Sequence, residues 1–292
     1  MNVVGRLLEI HRYPVKSMRG EAPLSAAVEA TGLAGDRAHA LLDCATGKLA
    51  SAKDPRLWAG LLDLQAEYVG EAAAGARLAL ERAGGARIRS DDPGVNDWLS
   101  KTTGRSVRLV ATTAPPANAA YDDVWPDLEG LAPQAFIDAT KTAVTDAGQA
   151  ISTLRVGMLA PGTFQDLAPI TLMTTSSLRT AEKAHPASRW DPHRFRSNLL
   201  VETDGDGFVE NAWIGQRLAL GGVVLEVIGP TPRCVMTTLT QRDLPNDHDI
   251  LRTLARHNRI DFKGAGRFAC LGVYASVVQA GRVAVGDPMT LV

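Results

Sequence analysis

Residues 217–234 read RLALGGVVLEVIGPTPRC, and this stretch sets the character of the chain. Two short apolar runs, 217–220 and 223–228, flank Gly221-Gly222, the two-residue punctuation of a β-hairpin. Past residue 228 come Pro230 and Pro232, which cannot donate to a ladder, so the strand is expected to give way to a stiffened loop ending at Arg233-Cys234. Outward from here the same texture repeats. Short strands are predicted at 199–202, 271–279, 282–285 and 289–292, and earlier at 3–10, 38–43, 66–69, 77–80 and 105–110. Ala45-Thr46-Gly47 reads as a further hairpin turn.

Helices are few. Asp92 can cap a helix over 93–100, with Pro93 where a missing N–H costs nothing, and Asn246 or Asp247 can begin one with Ile250, Leu251 and Leu254 on one face. Another is expected after the 170–173 strand, starting among Thr174, Thr175, Ser176 and Ser177. Residues 111–165 hold Pro115-Pro116, Trp125-Pro126, Pro133 and Pro161-Gly162 without sustained periodicity, and read as irregular chain packed over its neighbours. The predicted fold is mixed, mainly β (α+β): two β-barrel-like lobes with peripheral helices. The lobes are assigned to 1–112 and 166–292, with 113–165 as the irregular connection and the functional groove between them.

Composition narrows the function classes. The 292 residues carry 31 Lys plus Arg against 32 Asp plus Glu, so no global charge draws the chain to nucleic acid or an anionic membrane, and any anion site must be local. No apolar stretch is long enough to span a bilayer, and Arg6, Glu9, His11 and Arg12 break up the amino terminus as a secretory signal. Three scattered cysteines, Cys44, Cys234 and Cys270, make neither a disulfide framework nor a C-x-x-C metal site. A reducing, cytoplasmic setting and a monomeric state are expected.

Cys234 is the residue of most chemical interest. A thiol at a strand end on a proline-stiffened loop, beside Arg233, suits a nucleophile or a soft-metal ligand; a buried small hydrophobe is the plainer alternative. No two histidines share helical or zinc-finger spacing, while His248 and His257 are available as bases for a cysteine hydrolase. Basic and hydroxyl residues recur where an anion could be held. They are Lys16 and Ser17 after Tyr13-Pro14, Arg37 in Gly35-Asp36-Arg37, Thr175 and Ser176 at a helix start, and Arg194 and Arg196 before Asn198.

Taken in order, Tyr13-Pro14-Val15-Lys16-Ser17, Gly35-Asp36-Arg37, Arg194-Phe195-Arg196-Ser197-Asn198, Arg233-Cys234 with Thr237-Thr238, and Val285-Gly286-Asp287 resemble the MOSC family, including its amino-terminal β-barrel domain. The set is similar to the branch containing the amidoxime-reducing components and their bacterial relatives. That resemblance implies a molybdenum-cofactor (Mo-molybdopterin) reductase of small N-hydroxylated substrates, with Cys234 as the catalytic protein ligand to molybdenum. It implies a phosphate neutralised by Lys16, Ser17, Arg37, Arg196 and the helix start at Thr175 and Ser176, and a pocket that also involves Asn198, Pro232, Arg233 and Tyr274. A carrier of the cofactor or of sulfur, without turnover, is the alternative. Ser197 stands where the family commonly has Pro, Glu210-Asn211-Ala212-Trp213 keeps one acid of the family's pair, and Leu271-Gly272 replaces Phe-Gly. With no cysteine after Cys270 to hold an iron–sulfur cluster, electrons are expected from a separate electron-transfer protein.

Overall fold

The structure, a computed structural model, describes residues 2–292; Met1, the first residue of the predicted amino-terminal lobe, lies outside the described residues. The chain is mixed and mainly β. Its centre is a closed barrel of seven strands: β1 (Asn2–Ile10), β2 (Ile170–Thr174), β3 (Leu199–Glu202), β4 (Arg217–Leu220), β5 (Val223–Pro232), β6 (Arg267–Gln279) and β7 (Pro288–Leu291). They run in the order β2-β3-β1-β7-β4-β5-β6, and antiparallel pairing of β2 with β6 closes the ring. Closure removes the free edges that would otherwise recruit another chain. Inward-pointing Leu7, Leu172, Val201, Leu218, Leu225, Val273 and Met289 fill the interior. Only β2 and β3 pair in parallel, and the helix Thr175–Ala184 lies within the crossover that parallel pairing demands.

The strands do not divide sequentially. β1 pairs with β3 and β7, so Asn2–Ile10 forms a stave of the barrel built from the last 125 or so residues. A second core, with Val15, Met18, Leu41, Trp58, Leu64, Leu80 and Leu99, gathers the strands His39–Asp43, Leu64–Tyr68, Leu78–Arg82 and Val107–Ala111 into the amino-terminal lobe. Helix Asp249–His257 packs Ile250, Leu251 and Leu254 outside the barrel against Met173 and Leu271.

Two local expectations change. The segment read as irregular contains a three-stranded antiparallel sheet, Ala120–Val124, Lys141–Val144 and Ala150–Arg155, and a helix, Gln134–Thr140. Lys141–Val144 is exposed along its whole length, so it carries no hydrophobic alternation for sequence reading to detect. The strand before Cys234 also continues through both prolines to Pro232, its register against β6 shifting by bulges where the prolines cannot donate. No described helix is long and apolar enough to cross a membrane.

Candidate functional site: a cationic cleft at Cys234

A cleft of about 730 Å³ of non-atom space, its open mouth included, lies where the two lobes meet. Lys16, Ser17 and Arg37 reach it from the amino-terminal lobe; Arg196, Pro232, Arg233, Cys234 and Tyr274 line it from the barrel side. Residues more than 200 positions apart in sequence are thus brought together around one thiol.

Cys234 is held by its backbone. The Arg233 N–H donates to the Ala269 carbonyl at 2.9 Å, and the Thr237 N–H and hydroxyl donate to the Cys234 carbonyl at 3.2 and 3.0 Å. Burial pushes the thiol pKa up from its ordinary value; the Lys53 ammonium opposes this, Asp123 adds to the rise, and the Met236 N–H again favours thiolate. Cys270, the buried thiol of β6, is pushed up to about 12 by burial, against the pull of Arg233, and does not line the cleft.

Lys53, Asp123 and Asp166 had no signal in the sequence, since none belongs to a motif that marks a site. In the fold Lys53 and Asp166 line the cleft with Cys234, and Asp123 pairs with Lys53 from outside the lining. The Lys53 Nζ donates to Asp123 at 3.0 Å and to the Tyr121 hydroxyl at 3.3 Å, and lies 3.2 Å from Asp166. Lys16 pairs with the other Asp166 oxygen, donates to the Phe164 carbonyl at 3.2 Å, and sits 4.2 Å above the Tyr121 ring. Burial would lower the Lys53 pKa, but Asp123 and Asp166 outweigh it and raise the pKa well above the ordinary value. Lys16, with less compensation, is lowered by burial despite Asp166. In Lys53→Met, the cation that opposes the rise is lost, and the Cys234 thiol pKa is expected to rise further. The pH midpoint of iodoacetamide alkylation at Cys234, read by peptide mapping so that exposed Cys44 is not counted, should move upward; an unmoved midpoint would remove Lys53 from the thiol's electrostatics.

The arginines divide into two kinds. Arg194 is fully buried and donates to the carbonyls of Arg189, Thr237, Leu239 and Pro245, tying down the chain after Cys234. Arg233 is likewise committed, donating to the Leu271 and Phe195 carbonyls. Arg37 and Arg196 flank the Tyr13 ring at 4.5 and 4.2 Å, and Arg37 donates to Asp36 at 2.5 Å and to the Arg196 carbonyl at 2.9 Å. Ser17, Arg37 and Arg196 have φ of 64°, 46° and 52°. These are three of the six described non-glycine residues in the left-handed region, and all three line the cleft, a concentration of backbone strain typical of functional sites.

Three sequence-predicted residues lie elsewhere. Asn198 is fully buried: its amide oxygen accepts from the Thr171 N–H and hydroxyl, each at 3.1 Å, and its NH₂ donates to the His11 carbonyl, so it clamps β1 to β2 and β3. Thr175 and Ser176 do begin a helix, but they bond to Thr203. Glu210 accepts from the Thr174 and Ser177 hydroxyls at 2.7 and 2.6 Å and from the Gly272 N–H at 3.0 Å. A buried carboxyl group from the chain itself therefore takes up the hydroxyls of this helix start, and the Ser176 and Ser177 N–H groups donate to the Thr203 and Thr174 hydroxyls. Among the described residues no histidine lines the cleft, which leaves a cysteine hydrolase without its base; His248 and His257 lie outside the lining. No group of three His, Cys, Asp or Glu able to hold a metal occurs among the described residues; Cys234 is the one thiol in the lining, with the Met236 thioether as the other sulfur.

Residues 161–290 match the MOSC domain and residues 4–91 the MOSC N-terminal beta barrel domain. The chain carries both MOSC-type domains. It is 29% identical over 133 residues to mitochondrial amidoxime reducing component 2 of Macaca fascicularis, covering 43% of this chain and 38% of that protein. It is 34% identical over 142 residues to a molybdenum cofactor sulfurase of Drosophila grimshawi, covering 45% of this chain and 17% of that one. The matches thus span well under half the length of these relatives. Among solved structures, the YuaD protein of Bacillus subtilis aligns over 99% of this chain and 94% of its own, with a TM-score of 0.43 and 11% identity.

Proposed function

We propose that the Cys234 cleft holds a molybdenum cofactor, with Cys234 as the protein's ligand to the metal, and that the protein reduces N-hydroxylated small molecules with electrons from a separate electron-transfer protein. One observation carries the reading: a solitary thiol facing a cleft lined by Lys16, Lys53, Arg37, Arg194, Arg196 and Arg233, with Asp166 the only carboxylate in the lining. The donor set fits the group. Molybdenum already held by a pterin dithiolene needs one more soft donor, and a phosphate-bearing pterin needs cations and hydrogen-bond donors. Thr231, whose buried hydroxyl has no partner in the protein, lines the same cleft and can receive a polar heterocycle edge.

When bound, the cofactor supplies the two-electron redox chemistry. The protein's part is placement and charge. Lys16, Ser17 and Arg37 would hold the phosphate end, and Arg196 the pterin side. Arg233, fixed by the Leu271 and Phe195 carbonyls, keeps a positive charge behind Cys234 and favours its thiolate. Tyr274, its pKa raised by burial to about 12, stays protonated at neutral pH and can donate at the cleft wall. Reduction of an N–OH group to N–H and water consumes two electrons and two protons; the partner protein provides the former and solvent at the open mouth the latter.

Protein purified from a cofactor-sufficient host and supplied with a chemical reductant is expected to convert an amidoxime or an N-hydroxylated base to its reduced form. Full cofactor occupancy without turnover across such a panel would overturn the reductase. The similarity to molybdenum cofactor sulfurase favours a second reading, a carrier of cofactor or sulfur, and transfer to an apo-enzyme without turnover would select it.

A further inference from the structure

A smaller pocket, about 380 Å³ of non-atom space with its mouth included, shares Arg196 with the Cys234 cleft and is otherwise separate from it. Arg19, Arg196 and Arg242 line it, with His11, His193, Tyr13 and Gln241. Its one carboxylate, Glu21, is already engaged: Arg12 donates to it at 2.5 and 2.6 Å, and the Tyr68 N–H at 3.2 Å. Glu9 and Asp191 sit behind the histidines, each 2.7 Å from a ring nitrogen, and do not line the pocket. The three guanidinium groups are thus left without a carboxylate of their own.

Ten buried side-chain nitrogen or oxygen atoms among the described residues have no hydrogen-bond partner, and five belong to this pocket: His11 Nδ1, the Tyr13 hydroxyl, Arg19 Nε, Arg196 Nη2 and Gln241 Nε2. Buried polar groups are normally satisfied, so half of all the exceptions in one small space call for a missing partner. Arg Nε, Arg Nη2 and the Gln NH₂ can only donate, and Tyr donates readily. The complement is a compact group with several acceptor oxygens and negative charge. Burial lowers the pKa values of Arg19 and Arg196, and repulsion from Arg242 and Arg37 respectively adds to it, a penalty that a bound anion would relieve.

We propose that Tyr13, Arg19, Arg196, Gln241 and Arg242 form a second ligand site that takes a small tetrahedral oxyanion of the phosphate class. Arg196 is shared with the Cys234 cleft, whereas Tyr13, Arg19, Gln241 and Arg242 line this pocket alone.

Calorimetric titration of inorganic phosphate into the full chain tests it. One phosphate per chain is expected, with affinity changed less than about threefold in Lys16→Met, which weakens the cleft instead, and weakened at least roughly tenfold in Arg242→Ala and Gln241→Glu. Gln241→Glu keeps the side-chain shape and gives the pocket its own carboxylate, so it should block phosphate while raising the thermal midpoint, an effect that structural damage would reverse. Glycerol 3-phosphate run in parallel distinguishes a free ion, bound equally well, from a phosphoryl substituent, bound more tightly; either result supports the site. Absence of saturable binding would mean that water satisfies these donors and would overturn the proposal. So would phosphate binding that survives Arg242→Ala and Gln241→Glu but disappears in Lys16→Met.

Discussion

Cys234→Ala should leave a folded protein whose molybdenum content falls to a small fraction of the wild-type level and whose reductase turnover drops by roughly three orders of magnitude or more. The effect is large because no other thiol, histidine or acidic cluster in the cleft can replace the ligand. It should be specific because the side chain is only partly buried and packs at the margin of a small cluster with Leu62, Val235, Met236 and Leu239. Truncation there should cost about 1 kcal/mol or less. Elemental analysis, pterin fluorescence after oxidation and a thermal melt on the same preparations check all three statements. Cys234→Ser, with a harder and far less acidic donor, should retain pterin better than metal, since Lys16, Arg37 and Arg196 hold the organic part independently of sulfur. Wild-type protein lacking both metal and pterin from a cofactor-sufficient host would refute the cofactor assignment itself.

Glu210→Ala should be the most damaging single change to the fold near the site. It strips the acceptor from the Thr174 and Ser177 hydroxyls and from the Gly272 N–H, all fully buried or in β6, and opens a cavity where β2 meets the helix Thr175–Ala184. A loss of about 3 kcal/mol is expected from the unpaired donors together with the lost packing. Glu210→Gln, which keeps the shape and one acceptor oxygen, should lose about 1 kcal/mol or less at neutral pH. The pH dependence tells the two effects apart. Burial raises the Glu210 pKa above its usual 4.5, although the hydroxyl and N–H bonds oppose it. The folded state therefore holds its proton longer than the unfolded chain does. This contribution to stability is fully present below about 4.5 and declines as pH rises from there through the folded-state pKa. Urea unfolding midpoints between pH 4 and 8 should show that decline in the wild type and lack it in Glu210→Gln. An identical profile in both would show that Glu210 does not titrate in this range.

Much of the site could be read along the chain because its residues fall in short contiguous motifs. Lys16 and Ser17 follow a proline turn, Arg37 follows Gly35-Asp36, and Arg233-Cys234 follows two prolines; each motif combines a backbone constraint with a functional group, and the fold brings all of them into the cleft. Lys53, Asp123 and Asp166 carry no such local mark. Their roles come from pairing: the Lys16–Asp166 contact closes over 150 residues, and the same carboxylate placed on the surface would be an ordinary solvated charge. Thr175 and Ser176 show the opposite case. The sequence marks a helix start with anion-binding potential, and only the fold reveals that Glu210, 33 positions after Ser177, already takes up its hydroxyls.

The sequence by itself determined the mainly β character, the Gly221-Gly222 hairpin and the outer helix at Asp249–His257, since all of these follow from local periodicity and turn chemistry. Tertiary structure alone decided that β1 completes the carboxyl-terminal barrel, that the prolines before Cys234 stay within a bulged strand, and that three guanidinium groups share a second pocket. Those outcomes depend on which distant strand offers a partner and on which charges are desolvated together, and neither quantity exists until the chain has closed on itself.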